Sequence, residues 1–550
     1  MATLPDWLSP LPDAEQMRAI DRWAIEVRGV PSLDLMERAG AGVARAVERL
    51  APDGSVTVVC GKGNNGGDGL VAARLLREAG RSVAVVCVAA PEELSGDARV
   101  NLERLPGEAP LKLSGEPWSH QDPGDAGGAR PEILAGAAAI VDALLGTGFE
   151  GEPRGAVAEA IEAINNSARE VVAVDVPSGV DASTGMVAGP AVRATLTVTF
   201  HVAKPGLWIN PGKGYVGELE VVDIGIPRGA PMEATIGLIE PAVLAGLPRR
   251  KASWTKFKSG HVLVIGGSRG LTGAPRMAAL ASMRAGAGYV TACVPASLQA
   301  ILASGGTPEM MTRSLPDEDG SATPDGTALV LEATERGGAM ALGPGLGRAD
   351  GAVEFARALA REAEVAMVLD ADGLNAHAGR LTDLRGREHP TVLTPHAGEL
   401  SRLLELTSSQ IERERLRHVR LAAGEAGAIV LLKGDDTLVA DASGRVAVSP
   451  GGTPALATAG TGDVLTGVIA ALLAQGVEPL AAASAGVWLH AEAGREAARR
   501  VGAVEGVIAT DVIAALPAAR ASAAGATAGA GGAGQAPGTE PGGPAERWAT

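Results

Sequence analysis

The chain has only three cysteines in 550 residues, and they lie far apart at Cys60, Cys87 and Cys293. Each falls in an apolar, strand-like run, and their spacing fits neither a disulfide framework nor a metal-ligand pattern. We therefore expect three buried free thiols, as is usual for unpaired cysteine.

Basic residues and long apolar runs are also scarce. The 48 Lys and Arg residues against 64 Asp and Glu residues give a formal net charge of -16, which argues against nonspecific binding to nucleic acid or anionic lipid. The longest apolar runs, such as VLTGVIAALLA, are too short to cross a bilayer. The first residues lack the basic and apolar regions of a signal peptide. A cytoplasmic protein is expected, with no membrane partner.

The rest of the chain is organised as two series of alternating strand-like and helix-like segments. Val- and Ile-rich runs alternate with Ala- and Leu-rich amphipathic stretches, which predicts α/β domains built on parallel sheets. Strand signals fade near residue 225, and we place one domain at 1–228, a linker at 229–239 and a second domain at 240–518. Residues 105–132 read as a polar loop without chemistry, and 519–550 as a disordered tail.

The segment GKGNNGGDGL, residues 61–70, separates the strand SVTVVC from a helical stretch. Its glycines satisfy G-x-G-x-x-G, but no acidic residue ends the next strand, and no Gly-Lys-Ser/Thr of a Walker A loop is present. Glycines before a helix predict a phosphate-binding turn. The polar residues Asn64, Asn65 and Asp68 are the unusual feature of this turn.

Two further strand ends in the first half are polar, VDALLGTGFEGEPRG and VDVPSGVDASTG. The carboxyl ends of parallel strands converge on one edge, so we expect Asn65, Asp142, Asp175 and Ser178 to surround one site for a hard cation or an acid/base. Asp175 and Ser178 could instead cap the turn after a strand. Asp142 interrupts an apolar strand, where an unpaired carboxylate would be costly.

Together with LPDAEQMRAIDRWAIEVRGVPSLDLMERAG and TFHVAKPG, these motifs resemble the NAD(P)H-hydrate epimerase domain over roughly residues 11–225. That family has a Rossmann-like, three-layer fold and interconverts the R and S forms of hydrated NADH and NADPH (NADHX and NADPHX). The resemblance implies a potassium ion held by Asn65, Asp142 and Ser178. It implies contacts to the hydrated dinucleotide from Asn64, Asn65, Gly66, Gly67, Asp68, Gly146, Thr147, Gly148, Phe149, Glu150, Gly151, Glu152 and Asp175.

Asp142 is the residue that we expect to move the proton during epimerisation, in which the ring hydroxyl leaves and returns. The use of Asp142 as a potassium ligand competes with this role, and the resemblance leaves both open.

The second half carries GPGLG, LDADGLN, LTPHAGEL, LLKGDDTLV and ATAGTGDVLTG. A Gly-Thr-Gly turn that opens a helix offers N–H groups to an anion. Asp463 beside it could accept a proton from an attacking hydroxyl in phosphoryl transfer. An ordinary capped helix is the alternative. His396 could equally be a core or turn histidine, Glu399 could anchor a magnesium-bound water, and Lys433 could be a solvated strand-end lysine.

These motifs resemble the ribokinase-like NAD(P)H-hydrate dehydratase domain over roughly residues 240–518. The resemblance implies Mg²⁺ and ADP or ATP as phosphoryl donor, with Asp463 as a catalytic residue. It implies hydrate contacts from Ala274, Gly345, His396 and Asp463, and adenine-nucleotide contacts from Lys433, Gly434, Asp435, Asp436, Thr437 and Gly462. One departure stands before Asp463, where family members read like NPGMATGGTGDVL and this chain reads SPGGTPALATAGTGDVL.

The sequence thus favours a fused repair enzyme that epimerises hydrated NAD(P)H and dehydrates the S form, acting as a homo-oligomer. Two alternatives remain open at this point. One is a ribokinase-type kinase of a vitamin precursor with a dinucleotide-binding module, and the other is a non-catalytic dinucleotide-binding protein. ADP versus ATP, NADHX versus NADPHX, and direct transfer of the hydrate between the domains also remain open.

Overall fold

The computed structural model describes residues 3–113, 132–305, 307–335 and 337–530. Its strands form two large, mostly parallel sheets with helices packed against them, which confirms the α/β class. The remainder of the polar loop, residues 114–131, and residues 531–550 of the proposed tail lie outside the described residues.

The first part of the chain alternates strands and helices, as the sequence predicts. Its strands are β1 (Leu8–Pro10), β2 (Val56–Cys60), β3 (Val83–Cys87), β4 (Ala139–Ala143), β5 (Glu170–Val174), β6 (Leu196–Phe200), β7 (Glu218–Val222) and β8 (Ile236–Ile239). Its α-helices are α1 (Ala14–Arg22), α2 (Ser32–Leu50), α3 (Asn64–Glu78), α4 (Gly96–Glu103), α5 (Glu132–Ala135) and α6 (Ala156–Asn166).

The second part continues the alternation. Its strands are β9 (His261–Ile265), β10 (Tyr289–Pro295), β11 (Met311–Leu315), β12 (Asp317–Glu318), β13 (Ser321–Ala322), β14 (Ala339–Leu342), β15 (Ala366–Leu369), β16 (Thr391–Leu393), β17 (Ile429–Leu432), β18 (Leu438–Ala440) and β19 (Val446–Val448). Its α-helices are α7 (Gly273–Arg284), α8 (Ala296–Ala303), α9 (Thr327–Thr334), α10 (Asp350–Glu362), α11 (Asp372–Asn375), α12 (Ala397–Leu403), α13 (Ser408–Arg413), α14 (Arg415–Ala426), α15 (Thr461–Ala474), α16 (Pro479–Val501) and α17 (Ala509–Ala530).

In the part of the chain that the structure describes, the first sheet has the order β3-β2-β4-β5-β6-β7. Every neighbouring pair in it is parallel. The order reverses between β2 and β4, and a crevice at such a switch point is where open α/β sheets bind ligands.

The second sheet has the order β1-β8-β19-β18-β17-β16-β15-β14-β9-β10-β11 among the described residues. Its stretch from β17 to β11 is parallel, whereas β17, β18 and β19 pair antiparallel. The carboxyl ends of β17, β16, β15, β14 and β9 therefore lie side by side along one edge.

The central strands of both sheets are buried on both faces, which is why these strands read as continuous apolar runs. In β9, Val262 and Val264 pack into one hydrophobic cluster, while Leu263 and Ile265 pack into the cluster on the other face. Successive side chains of a strand point to opposite faces, so each helical layer covers its own set. The three cysteines are buried free thiols, as expected.

The structure differs from the sequence-based boundaries in three places. Helix α3 begins at Asn64, so the asparagines and glycines form its first turns rather than a loop. Strand β1, assigned to the first domain, and β8, assigned to the linker, both belong to the second sheet. Helix α17 extends past residue 518, the predicted end of the second domain, to Ala530. Ala519 is buried among the apolar residues of the second sheet's helices.

Candidate active sites

A cavity of about 800 Å³ opens at the carboxyl edge of the first sheet, beside the switch point between β2 and β4. It is bounded by the start of α3, by the loop after β4 and by the turn after β5. Residues expected to contact the hydrated dinucleotide line it: Asn64, Asn65, Asp68, Gly146, Thr147, Gly148, Phe149 and Asp175. The sequence patterns therefore identify three loops that meet around one cavity.

A buried ion pair between Asp175 and Lys204 lies at the base of this cavity. The Lys204 ammonium lies 2.6 Å from Asp175 Oδ1 and also donates to Thr199 Oγ1 and the Phe200 carbonyl. Burial disfavours the charge on Asp175, but Lys204 and the hydrogen bonds from Lys204 and Thr147 outweigh it and hold the pKa of Asp175 below its ordinary value. Asp175 has φ of 66°, a costly conformation for a non-glycine residue, at the point where the chain turns off β5.

Asp68 and Asp21 face the same cavity as the ion pair. Burial, reinforced by the negative charges of Asp175 and Asp21, raises the pKa of Asp68 well above its usual value. Burial also raises the pKa of Asp21. Carboxyl groups whose pKa values are shifted in opposite directions therefore face one cavity, and such a separation of pKa values typifies acid/base sites.

Asp142 lies behind the cavity and is 0% exposed. Its carboxylate accepts hydrogen bonds from the Ser178 hydroxyl, the Ser178 N–H and the Leu144 N–H. Burial raises the pKa of Asp142 to about 6, although these hydrogen bonds oppose the shift. Asp142 is absent from the cavity lining, so its role as the proton shuttle stays a prediction, whereas Asp68 and Asp21 are carboxyl groups with raised pKa values that do line the cavity.

The three residues expected to hold potassium do meet around Leu145. Asn65 Nδ2 donates to the Leu145 carbonyl at 3.0 Å, and the Leu145 N–H donates to Ser178 Oγ at 2.9 Å. Ser178 Oγ in turn donates to Asp142 at 2.6 Å. Hydroxyl, carboxylate and carbonyl oxygens thus converge beside the amide group of Asn65, and a hard cation prefers oxygen donors.

Two glycines at the start of α3 are needed for close packing. A Cβ at Gly66 would lie 2.0 Å from the Gly61 carbonyl oxygen, and one at Gly67 would lie 2.7 Å from the Met36 side chain. Neither glycine lines the cavity, and the same holds for Glu150, Gly151 and Glu152.

The second candidate site follows the carboxyl edge of the larger sheet. Gly345 and Ala274 lie together, since a Cβ on Gly345 would be 3.2 Å from that of Ala274. Lys433, directly after β17, donates to Asp370 Oδ1, directly after β15, at 2.7 Å. Thr466 of α15 donates to the other oxygen of the same carboxylate. The expected site residues therefore come from neighbouring strand ends.

Asp463, in the first turn of α15, faces the Lys433–Asp370 pair. Burial and the negative charges of Asp370 and Glu399 raise the pKa of Asp463 to about 7, against the opposing effect of Lys433. Lys433 is held in its charged form, because Asp370, Glu399 and Asp463 raise its pKa despite burial. A carboxylate that titrates near neutral pH suits a general base.

His396 serves as the N-cap of α12. Its Nδ1 accepts the N–H groups of Gly398 and Glu399, and Glu399 Oε2 accepts the His396 N–H in return. The alternative that this histidine stabilises a turn is therefore correct for its Nδ1 atom. Its side chain is 55% exposed, with Nε2 3.6 Å from Glu399 Oε1, so the ring edge remains available to a ligand.

A second cavity, of about 480 Å³, lies between the turn after β17 and the start of α15. Most residues expected to bind the adenine nucleotide line it: Lys433, Gly434, Asp435, Thr437 and Gly462. Asp436 does not line it, because its carboxylate is buried against Arg415 Nε at 2.9 Å. The divergent segment before Asp463 contributes part of the wall through Gly452, Thr453 and Pro454.

Comparison with known proteins agrees with both halves of this description. Residues 262–518 match the family model of NAD(P)H-hydrate dehydratase, and residues 32–206 match that of the YjeF-related protein N-terminus. The bifunctional NAD(P)H-hydrate repair enzyme Nnr of Moorella thermoacetica is 44% identical over 514 residues, covering 92% of this chain and 95% of its own.

The chain belongs to the family of bifunctional NAD(P)H-hydrate repair enzymes. The member from Salinibacter ruber is 42% identical over 529 residues, covering 92% of this chain and 95% of its own. Among solved structures, the ADP/ATP-dependent NAD(P)H-hydrate dehydratase of Bacillus subtilis co-crystallized with ATP/Mg²⁺ is 28% identical. The TM-score between the two structures is 0.44, and the match covers 51% of this chain and 96% of that one. The resemblance read from the motifs is thereby confirmed.

Sequence reasoning missed three site residues, Asp21, Lys204 and Asp370. Lys204 lies in TFHVAKPG and Asp370 in LDADGLN, and both segments were singled out without these positions. A lysine four residues after an apolar strand and an aspartate directly after one are signals of strand-end chemistry. Asp21 lies in an ordinary amphipathic helix, and only the fold brings it to the cavity.

Proposed function

We propose that the chain repairs hydrated NAD(P)H, with the first domain epimerising NADHX and NADPHX and the second dehydrating the S form at the expense of ADP or ATP. The observation that carries this proposal is Asp463, a carboxylate with a pKa of about 7 at a helix start beside the Lys433–Asp370 pair. A site that removes a proton and accepts a phosphoryl group needs these features.

In the dehydratase site, Asp463 accepts the proton of the ring hydroxyl as that oxygen attacks the terminal phosphorus of the nucleotide. The phosphorus–oxygen bond to the leaving nucleotide breaks, and AMP or ADP departs. Lys433 and the N–H groups at the start of α15 stabilise the transferring phosphoryl group. Phosphate then leaves the ring carbon as the adjacent carbon gives up a proton to the departing phosphate, which restores the dihydropyridine.

Mg²⁺ is expected to arrive with the nucleotide. Among the described residues there is no cluster of three or more His, Cys, Asp or Glu side chains suited to a metal. Mg²⁺ bound by substrate phosphates and one or two protein carboxylates fits that arrangement. Glu399 and Asp370 are the carboxylates that would hold it, and the ion would neutralise phosphate charge.

In the epimerase site, Asp68 donates a proton to the departing hydroxyl, which leaves as water while the ring nitrogen supplies its electron pair. The Asp175 carboxylate, held charged by Lys204, stabilises the resulting cation. Water returns on either face of the ring, and Asp68 recovers its proton. Asn65, Ser178 and Asp142 would hold potassium, which would compensate the buried Asp142 charge and fix the loop after β4.

The first test is recovery of the reduced-nicotinamide absorbance from mixed R and S hydrate, with Mg²⁺, K⁺ and either ADP or ATP. Complete recovery is expected, and its dependence on ADP or ATP identifies the donor. Recovery that stops at the S fraction would remove the epimerase assignment. A stable phosphorylated product from a hydroxyalkyl vitamin precursor, with no recovery of absorbance, would favour the kinase alternative.

A non-catalytic dinucleotide-binding protein would keep its biological role after Asp68→Asn or Asp463→Asn. Complementation of a strain that accumulates the hydrate tests this, because we expect both variants to fail. The structure has no helix able to cross a membrane among its described residues. The cytoplasmic location and the homo-oligomer stay predictions, to be tested by fractionation and by light scattering.

A further inference from the structure

The segment that follows β6 in the first domain reaches the nucleotide cavity of the second. It contains two short 3-10 turns, Pro205–Leu207 and Gly212–Tyr215. Asn210 lies between the two turns, and its N–H donates to Asp436 Oδ2 at 2.9 Å. Lys213 Nζ lies 2.5 Å from Asp435 Oδ2. The two acidic residues of the KGDDT turn are therefore both held by the first domain.

The contact to Asp435 extends across the cavity wall. Asp435 lines the cavity, and its Oδ1 accepts the Gly452 N–H at 3.2 Å. Arg495 donates to the Gly451 and Gly452 carbonyls at 2.7 and 3.2 Å. A Cβ on Gly451 would lie 3.1 Å from Lys213 Nζ, so the lysine touches the loop as well as the carboxylate.

The charges around the nucleotide cavity explain why a lysine at residue 213 would favour nucleotide binding. The cavity is expected to take an anionic nucleotide, yet the KGDDT turn puts two carboxylates beside it. Arg415 neutralises Asp436 from within the second domain. Lys213, only 19% exposed, neutralises Asp435 from the other domain. Without Lys213, a bare carboxylate would face the polyphosphate, and like charges at close range weaken binding.

We propose that Lys213 of the first domain is a positioning residue for the nucleotide site of the second. It fixes Asp435 and the Gly451–Gly452 loop as one wall of the cavity and cancels the negative charge of that wall. This inference rests on the proposed function, since it takes the cavity to be the adenine-nucleotide site. The second domain thus depends on the first for part of its affinity for nucleotide.

The test compares Lys213→Met, Lys213→Gln and Lys213→Arg in the full chain, with Lys251→Met at an exposed position as the matched control. ADP and ATP binding is measured by calorimetry without hydrate, and KM and kcat are measured for the dehydration. For the Met and Gln variants we expect Kd and KM for nucleotide to rise about three- to tenfold, the range of an ion pair that is only partly exposed. We expect kcat to stay within twofold and the epimerase rate to be unchanged.

The Arg variant and the control are expected to bind like the unaltered chain, because a cation remains at residue 213 or is irrelevant at residue 251. Unchanged nucleotide Kd in both neutral variants would overturn the proposal, as would an equal loss in the Arg variant. Thermal unfolding keeps misfolding distinguishable from loss of the contact. Binding of ADP or ATP without recovery of absorbance would contradict the proposed function. The effect of the Lys213 variants on nucleotide Kd would still decide this inference.

Discussion

The two candidate sites use the same arrangement of charges with different access. Each has a Lys–Asp ion pair at a strand end and an acid with a raised pKa near the start of a helix. These are Lys204, Asp175 and Asp68 in the first site and Lys433, Asp370 and Asp463 in the second. The Lys204 side chain is 2% exposed, whereas that of Lys433 is 22% exposed.

This difference separates the two chemistries. Lys204 donates hydrogen bonds to Asp175, Thr199 and the Phe200 carbonyl. It can therefore keep a carboxylate charged, but its ammonium has no further proton to donate to a ligand. Lys433 donates to Asp370 and also lines the nucleotide cavity, so it can meet a phosphate. The first arrangement therefore suits the proposed reaction at a ring cation, and the second suits the proposed phosphoryl transfer.

Among substitutions that separate the two sites, Asp463→Asn should have the largest effect on activity. An amide cannot accept the hydroxyl proton, so kcat for dehydration should fall by roughly 10²- to 10⁴-fold. Exchange between R and S hydrate, followed by chromatography, should continue at the normal rate. Loss of both activities together would mean that the two sites are not independent.

Lys204→Met should destabilise the fold and abolish epimerisation. It leaves Asp175 buried without its cation, and breaking such a pair costs about 3 to 5 kcal/mol. Denaturant unfolding measures that cost, and R-to-S exchange at a temperature where the variant is folded measures the activity. Lys433→Met is the matched control, and its loss of stability should be smaller because Lys433 is more exposed. Equal losses would contradict the comparison.

The pH dependence of the two activities should differ in sign. The dehydratase base works when deprotonated, so kcat/KM should rise about tenfold between pH 6 and pH 8, as Asp463 ionises with a pKa of about 7. The epimerase acid works when protonated, and the raised pKa of Asp68 keeps it so at higher pH than usual. Epimerisation should therefore fall, not rise, as pH increases. Parallel profiles would refute the assignment of opposite roles.

Potassium should have the smallest effect. Replacing K⁺ by a bulky organic cation is expected to slow epimerisation a few-fold and to lower the unfolding temperature slightly, with dehydration unaffected. Asp142→Asn should remove this dependence, since it removes the charge that the cation would compensate. A dehydratase that responds to K⁺ as strongly as the epimerase would place the ion elsewhere.

The sequence revealed the strand ends because chemistry there interrupts apolar runs, as at Asp142 and Lys433. It did not reveal which polar residues face the cavities. Asp142 and Asp436 share motifs with residues that line the cavities, yet each is turned away and hydrogen-bonded to a neighbour, Ser178 or Arg415. Gly66 looked like a phosphate-binding glycine, but close backbone packing needs it. Orientation and partners are tertiary properties that spacing along the chain does not encode.

The pairing of β1 and β8 within the second sheet has a consequence for how the protein can be divided. A dehydratase fragment beginning at residue 240 would lack β8, which pairs with β19, and would leave the apolar, three-residue strand β19 as an unpaired sheet edge. Open edges of this kind promote aggregation between chains. The fusion is therefore more than a tether between modules: a soluble single-activity fragment would have to retain both strands or protect the bared edge by redesign.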